Sequence, residues 1–291
     1  MRRKEMSKRR GGSRRGRGRK GGSTGTILII LSLIVALILV VSIFGYFWFQ
    51  DSKRVELDSN FCPTDGPLRT VSILIDPTVH IGNATRLQLN NEIDREISTV
   101  EKHVKVQFLF VAGDGVSKAK FSYCNPGDFE KADWTVKSGL TLNPTRYKLR
   151  SDKFKKEIST ILDKMVEEGT GLEFSPLLQA LQITSLSVEK SKSETEKNKI
   201  IFITDLLENS EEFSVYNRGL ANDALSFPRF LRSDAFKRYG FKNGDEFDLE
   251  ILLVSQKNQG FKTVDIVEFW GQLLTKLNFS NFKIKNLFGL L

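Results

Sequence analysis

The chain is poor in the residues that most often build reactive centres. It holds two cysteines, Cys62 and Cys124, and two histidines, His80 and His103, in 291 residues. No C-x-x-C pair or Cys/His cluster is present, which argues against zinc. Beyond residue 50 there is no G-x-S-x-G elbow and no G-x-x-x-x-G-K-[ST] loop, so the turns that present a nucleophilic serine or cradle a nucleotide phosphate are missing. Acid is nearly absent from residues 1–26, where eleven Lys and Arg face Glu5 alone. Charge and proline are absent from residues 27–49, ILIILSLIVALILVVSIFGYFWF, where only Ser32, Ser42 and Gly45 interrupt the apolar run.

That run is the strongest single signal. At ~1.5 Å per residue a helix of this length crosses the ~30 Å hydrocarbon core of a bilayer. A cleaved signal peptide has a shorter apolar core, about 7–15 residues, and a small-x-small exit. Here the exit is bulky and aromatic (Tyr46, Trp48, Phe49), which reads as an uncleaved anchor with an interfacial belt. Excess Lys and Arg stay on the cytoplasmic side, so residues 1–26 are expected inside and the rest outside. The expected location is a single-pass membrane protein with its domain on the periplasmic side of a bacterial inner membrane.

Net charge divides the same way. The tail holds eleven of the 44 basic residues and one of the 35 acidic ones, leaving 33 against 34 for the remainder. The high pI therefore belongs to the tail, and the domain carries no bulk nucleic-acid signature. The Gly, Ser and Arg of the tail have almost nothing to bury, so it is expected to be disordered and to meet lipid headgroups. Nucleic acid and small molecules are not expected partners. Residues 50–69 read as a linker and 70–291 as one extracytoplasmic domain. Both cysteines lie in the oxidising compartment, where a Cys62–Cys124 disulfide is expected; two buried thiols are the alternative.

Within the domain, elements alternate. VSILIDP (71–77), VKVQFLFVAG (104–113), KIIFITD (199–205) and DLEILLVS (248–255) read as strands, the first, third and fourth buried on both faces. KAKFSYC (118–124) follows so closely that an antiparallel edge hairpin is expected. Residues 86–103, 152–169, 175–186 and 263–279 have helical periodicity, and FKIKNLFG (282–289) reads as a last strand. Ser151 and Ser175 read as helix N-caps, with Pro176 at the first helical position and Gly169 as a stop. His103 reads as a helix-terminal cation. VEKSKSETEKNK (188–199) reads as an exposed loop. Asn83-Ala84-Thr85 and Asn278-Phe279-Ser280 match glycosylation sequons, a pattern too frequent by chance to carry an argument. The expected fold is α/β, a Rossmann-like doubly wound, mostly parallel sheet with one antiparallel edge strand, preceded by a single transmembrane helix.

Ligands of such sheets bind beyond the carboxyl ends of the strands, near the switch in strand order. There the chain offers Asp76-Pro77-Thr78-Val79-His80, then Ser175-Pro176-Leu177-Leu178-Gln179-Ala180-Leu181, then Ile203-Thr204-Asp205. In that order these resemble the D-x-S-x-S, T-P-L-x-x-A-L and h-T-D-G motifs of the von Willebrand factor A domains, and Glu268-Phe269-Trp270 on a late helix is similar too. The resemblance covers residues 70–290. It implies a metal-ion-dependent adhesion site at Asp76, Thr78, Ser175 and Asp205, holding Mg²⁺ or Mn²⁺ and open to a carboxylate from a protein partner. Thr78 and Ser175 keep the hydroxyl of the pattern, which suits a hard cation. His80 replaces an oxygen ligand with imidazole, and Leu206 replaces the glycine, so the site is degenerate. Glu208 and Asn209 are further polar candidates on the rim.

The function implied is protein–protein interaction by a receptor, scaffold or assembly component, and not catalysis. The D-x-D-x-T loop of haloacid dehalogenase phosphatases lacks its second Asp here. A metal-dependent nuclease of PIN or NYN type, with Glu92 or Asp94 as acidic partners, is the alternative reading.

Overall fold

The computed structural model describes residues 23–51, 55–79, 81–116, 119–139, 142–165, 174–216, 226–254 and 262–287. The chain divides into two compact units, Met1–Arg54 and Val55–Leu291. In the first, α1 (Ser23–Asp51) contains Ile27–Phe49, a helical stretch long and apolar enough to cross a membrane. It is hydrophobic all round, and its side chains are not buried in protein. A lipid-facing helix has that character.

The second unit is an α/β domain. Its strands are β1 (Thr70–Ile75), β2 (Lys105–Ala112), β3 (Gly115–Val116), β4 (Phe121–Cys124), β5 (Asn198–Thr204), β6 (Phe247–Val254) and β7 (Asn281–Leu287). The order across the sheet is β3-β2-β1-β5-β6-β7, with β4 also pairing to β2. β1 is parallel to β2 and β5, and β6 is parallel to β5 and β7. The antiparallel edge expected from sequence is present in two pieces. β4 pairs with Lys105–Phe108 and β3 with Val111–Ala112.

The helices are α2 (Asn83–Thr99), α3 (Trp134–Lys137), α4 (Pro144–Met165), α5 (Leu177–Leu186), α6 (Phe227–Phe230), α7 (Asp234–Tyr239) and α8 (Thr263–Lys276). Alternate residues of the central strands enter two separate apolar cores. Ile73, Ile75, Phe108 and Ile203 pack with Leu89 and Ile93 of α2 and Phe154, Ile158 and Leu162 of α4. Leu74, Leu109, Phe202 and Ile251 pack with Leu177 and Leu181 of α5 and Phe269, Trp270 and Leu273 of α8. Burial on both faces explains why β1, β5 and β6 are near-continuous apolar runs.

Three sequence expectations need correction. α2 ends at Thr99, where Val100 turns extended, and does not reach residue 103. His103 lies beyond it with φ 70°, its N–H bonded to the Asn125 carbonyl. Burial and the neighbouring Lys102 push its pKa down, the reverse of a helix-end cation. α4 starts at Pro144, not after Ser151. Asn143 caps it by accepting the Arg146 N–H at 3.0 Å, and Pro144 takes the first helical position. Ser151 is buried inside the helix, where its Oγ accepts from the Phe129 N–H at 3.4 Å. The expected stop at Gly169 lies outside the described residues, as does His80.

Residues 55–69 are hydrogen-bonded to the domain. The Cys124 N–H donates to the Asn60 carbonyl and the Lys192 N–H to the Leu68 carbonyl, at 2.9 and 2.8 Å. Cys62 and Cys124, 62 residues apart, form a disulfide. Asn278, the first residue of a sequon, closes α8 in a left-handed cap (φ 65°), and its side-chain amide donates to the Lys242 carbonyl at 3.0 Å.

Candidate functional site

Strand order reverses between β1 and β5, so the crevice beyond their carboxyl ends is where a doubly wound sheet exposes backbone and side chains to a ligand. Asp76 follows β1 and Asp205 follows β5 at that point. Asp76 is buried, and both its oxygens are engaged. Oδ1 accepts the Thr78 N–H at 3.0 Å and the Thr78 hydroxyl at 2.6 Å. Oδ2 accepts the Ser175 hydroxyl at 3.0 Å and the Thr204 hydroxyl at 3.2 Å. A carboxylate offers about four lone-pair positions, so these four donors saturate it.

Local geometry fixes each donor. Thr204 accepts the Leu206 N–H at 2.9 Å, which leaves its proton for Asp76. Ser175 is held by a reciprocal backbone pair with Asn209, at 2.7 and 3.0 Å, and does not cap α5 as its position suggests. The cap comes from a distant residue: the Glu208 carboxylate accepts the Leu178 N–H at 2.9 Å in the first turn of α5. Asp205 accepts the Leu207 N–H at 3.0 Å.

Leu206 occupies the position where the resembled motif has glycine, and it takes the left-handed conformation with φ 61°. For an L-residue that costs roughly 1–2 kcal/mol. Its side chain is fully buried, which returns roughly 1.5–3 kcal/mol. Its carbonyl also accepts the indole N–H of Trp270 at 2.7 Å. The leucine is therefore tolerated because burial outweighs strain.

The electrostatics are acidic. Burial pushes Asp76 above the usual carboxylate range against the pull of its four hydrogen bonds. Glu208 is pushed up to about 7 by burial, with the Asp76 charge adding to the effect. Tyr216, on the rim, is pushed up to about 12 by burial and by Asp205 and Asp76. A glutamate whose folded pKa exceeds its unfolded value favours folding at low pH. Stability from Glu208 is therefore full below pH ~4.5 and falls as pH rises toward 7, by about 3 kcal/mol in all. Glu208→Gln is expected to reduce the slope of the stability–pH curve over that window, leaving the contribution of Asp76, whose pKa burial also raises. Urea melts from pH 4.5 to 8 read it out, and an unchanged slope would refute the assignment.

The structure thus brings Asp76, Thr78 and Ser175 into direct contact, with Asp205 on the adjacent strand end. In the sequence Thr204 stands out only as part of a motif, although it donates to the central carboxylate. Tyr216 reaches the rim on a loop with no local signal. Among the described residues no group of three Asp, Glu, His or Cys is arranged to hold a metal ion. The oxygen-only chemistry of Thr78, Ser175 and Asp205 is of the kind a hard divalent cation takes, because a hydroxyl that donates its proton keeps acceptor lone pairs, whereas Asp76, with all four positions filled, would ligate only by giving up one of its donors. A separate cavity of about 600 Å³ between α2 and α4, lined by Val100, Lys102, Asn125 and Tyr147, lies toward the amino end of β2, away from this rim.

Fold and site together define an open, doubly wound α/β domain with a hydroxyl-buttressed carboxylate at its switch point. Comparison with family models yields no match, and comparison with curated proteins yields none of significance.

Proposed function

We propose that the chain is a single-pass membrane protein that presents a von Willebrand factor A-like domain outside the cytoplasm as a protein-interaction module. The observation that carries this reading is the convergence of Asp76, Thr78, Ser175 and Thr204 at the switch point, from three separate segments. The antiparallel β4 beside β2 and the order β4-β2-β1-β5-β6-β7 support it. The basic tail before an uncharged run supports a cytoplasmic N-terminus, and the disulfide supports an oxidising compartment for the domain. The site takes Mg²⁺ or Mn²⁺, with Asp76 and Asp205 supplying charge and Thr78 and Ser175 hydroxyl oxygens, and a carboxylate on the partner completes it.

Thermal melts of the full chain in detergent with Mg²⁺, Mn²⁺ or chelator test the site. Binding to the folded state alone raises stability by RT ln(1 + [L]/Kd), about 2.7 kcal/mol at a hundredfold excess over Kd. Ser175→Ala is expected to remove the shift. A wild-type melt indifferent to all three additions would sink the metal and leave a metal-free scaffold. Reporter fusions at residue 291 should place it outside the cytoplasm in the membrane fraction; a cytoplasmic reporter would overturn the orientation.

A further inference from the structure

The cavity between α2 and α4 lies apart from the rim and has the build of a small-molecule site. It holds about 600 Å³, within the ~300–1,000 Å³ typical of ligand pockets. Both helices pack on the same face of the sheet and leave this space between them. Its walls come from α2, residues 100–102, the loop at 125–132 and α4, so no sequence motif announces it. Val100, Phe154 and Ile158 supply buried apolar wall, and the Tyr147 ring adds a second aromatic group. The loop is pinned in place. Asn125 accepts the Gly127 N–H at 2.9 Å and donates to the Val100 carbonyl at 2.7 Å. Gly127 has φ 93°, and a side chain there would strike the Tyr147 hydroxyl, so the glycine lets the loop close against that ring.

The polar groups of this wall are mostly donors without acceptors. Ser151 is 2% exposed; its Oγ accepts the Phe129 N–H, and its own proton finds no acceptor among the described residues. The Tyr147 hydroxyl makes no hydrogen bond among the described residues, and burial raises its pKa, which keeps it a donor. Lys102 stands exposed at the mouth, its Nζ 5.8 Å from the centre of the Tyr147 ring. It makes no ion pair among the described residues, and partial burial lowers its pKa with no carboxylate to offset the effect. Lys155 takes the Asp128 carboxylate at 3.0 Å. Lys102 and Lys131 then face Asp94 alone, which leaves the lining one positive charge in excess. A buried donor without a partner is destabilising, and a cation partly withdrawn from water favours an anion within reach. The complement is an acceptor-rich head with a single negative charge. The Tyr147 and Phe154 rings suit a flat aromatic body, which loses little rotamer freedom on binding.

We propose that this cavity binds a small aromatic carboxylate, its ring against the apolar wall and its carboxylate among the donors Lys102, Tyr147 and Ser151. Equilibrium dialysis of 2-naphthoate against the full chain in phosphatidylcholine nanodiscs, with empty discs as the blank, tests it. Saturable binding at one site per chain is expected. The uncharged analogue 2-naphthalenemethanol should bind at least about tenfold more weakly, because charge-assisted hydrogen bonds are the stronger kind. Lys102→Met, at an exposed position, should weaken the acid about tenfold and leave the alcohol unchanged. Ser98→Trp, also at an exposed position on the lining, fills the cavity with an indole and should abolish binding of both. An intact disulfide and a wild-type urea midpoint certify each variant as folded, and Lys102→Met decides the question if Ser98→Trp fails that check. Three results would each overturn the proposal: no binding above the blank, equal affinities for acid and alcohol, or wild-type affinity in either folded variant.

Discussion

Replacing both Cys62 and Cys124 by alanine is expected to destabilise the domain by about 4 kcal/mol. The bond joins residues 62 apart, and a loop of that length carries a large closure entropy that the disulfide removes from the unfolded chain. The folded state changes little, because Cys62 N–H to Asp58 and Cys124 N–H to Asn60 are independent of the sulfur atoms. The burial of Cys124 adds a small cavity cost to the entropic effect. Urea unfolding of the double variant, and of wild type with and without reductant, measures the difference. Coincident transitions for reduced and oxidised protein would show that the bond is absent or idle.

Asp76→Ala is expected to cost about 3 kcal/mol and to erase any metal-dependent shift. Removing the carboxylate strands three hydroxyls and the Thr78 N–H, two of the hydroxyls on the buried residues Ser175 and Thr204. An unsatisfied buried donor costs roughly 1–3 kcal/mol, but hydroxyls can rotate to other acceptors. Relief of burying a charge offsets part of the loss, as the raised pKa implies. Asp76→Asn separates the contributions. It keeps one acceptor oxygen and should lose less stability while still losing the cation. Loss of under about 0.5 kcal/mol in the alanine variant would mean that the hydroxyl cradle is not structural.

How far the sequence foretells this structure varies by element. β1, β5 and β6 are legible because burial on both faces leaves unbroken apolar runs. Asp76 and Asp205 are legible because each directly follows such a run. Helix starts are harder. Ser175 has every local property of an N-cap, yet its hydroxyl turns to Asp76, 99 residues away, and Glu208 takes the cap. Ser151 misleads in the same way, while the Asn143-Pro144 pair that does start α4 was available to be read. Glu208 is legible as a rim candidate but not as the cap of α5, and Tyr216 is not legible at all, because both roles come from tertiary placement that no local pattern encodes. The split of the antiparallel edge depends on the tight turn at Asp114–Gly115, where Gly115 has φ 111° and a side chain would strike Ile183.

The disulfide also decides how the domain responds to force. Tension applied between the N-terminal segment and the C-terminal half runs along the backbone to Cys62, crosses to Cys124 through the sulfur atoms, and continues from there. The residues between them, which include β1, α2, β2, β3 and β4 up to Cys124, are short-circuited and cannot be drawn out. Roughly 200 Å of contour length, at about 3.4 Å per residue, is withheld from extension. A protein pulled through its attachment to a membrane would then yield in β5–β7 first, and the strand that bears Asp76 would be spared.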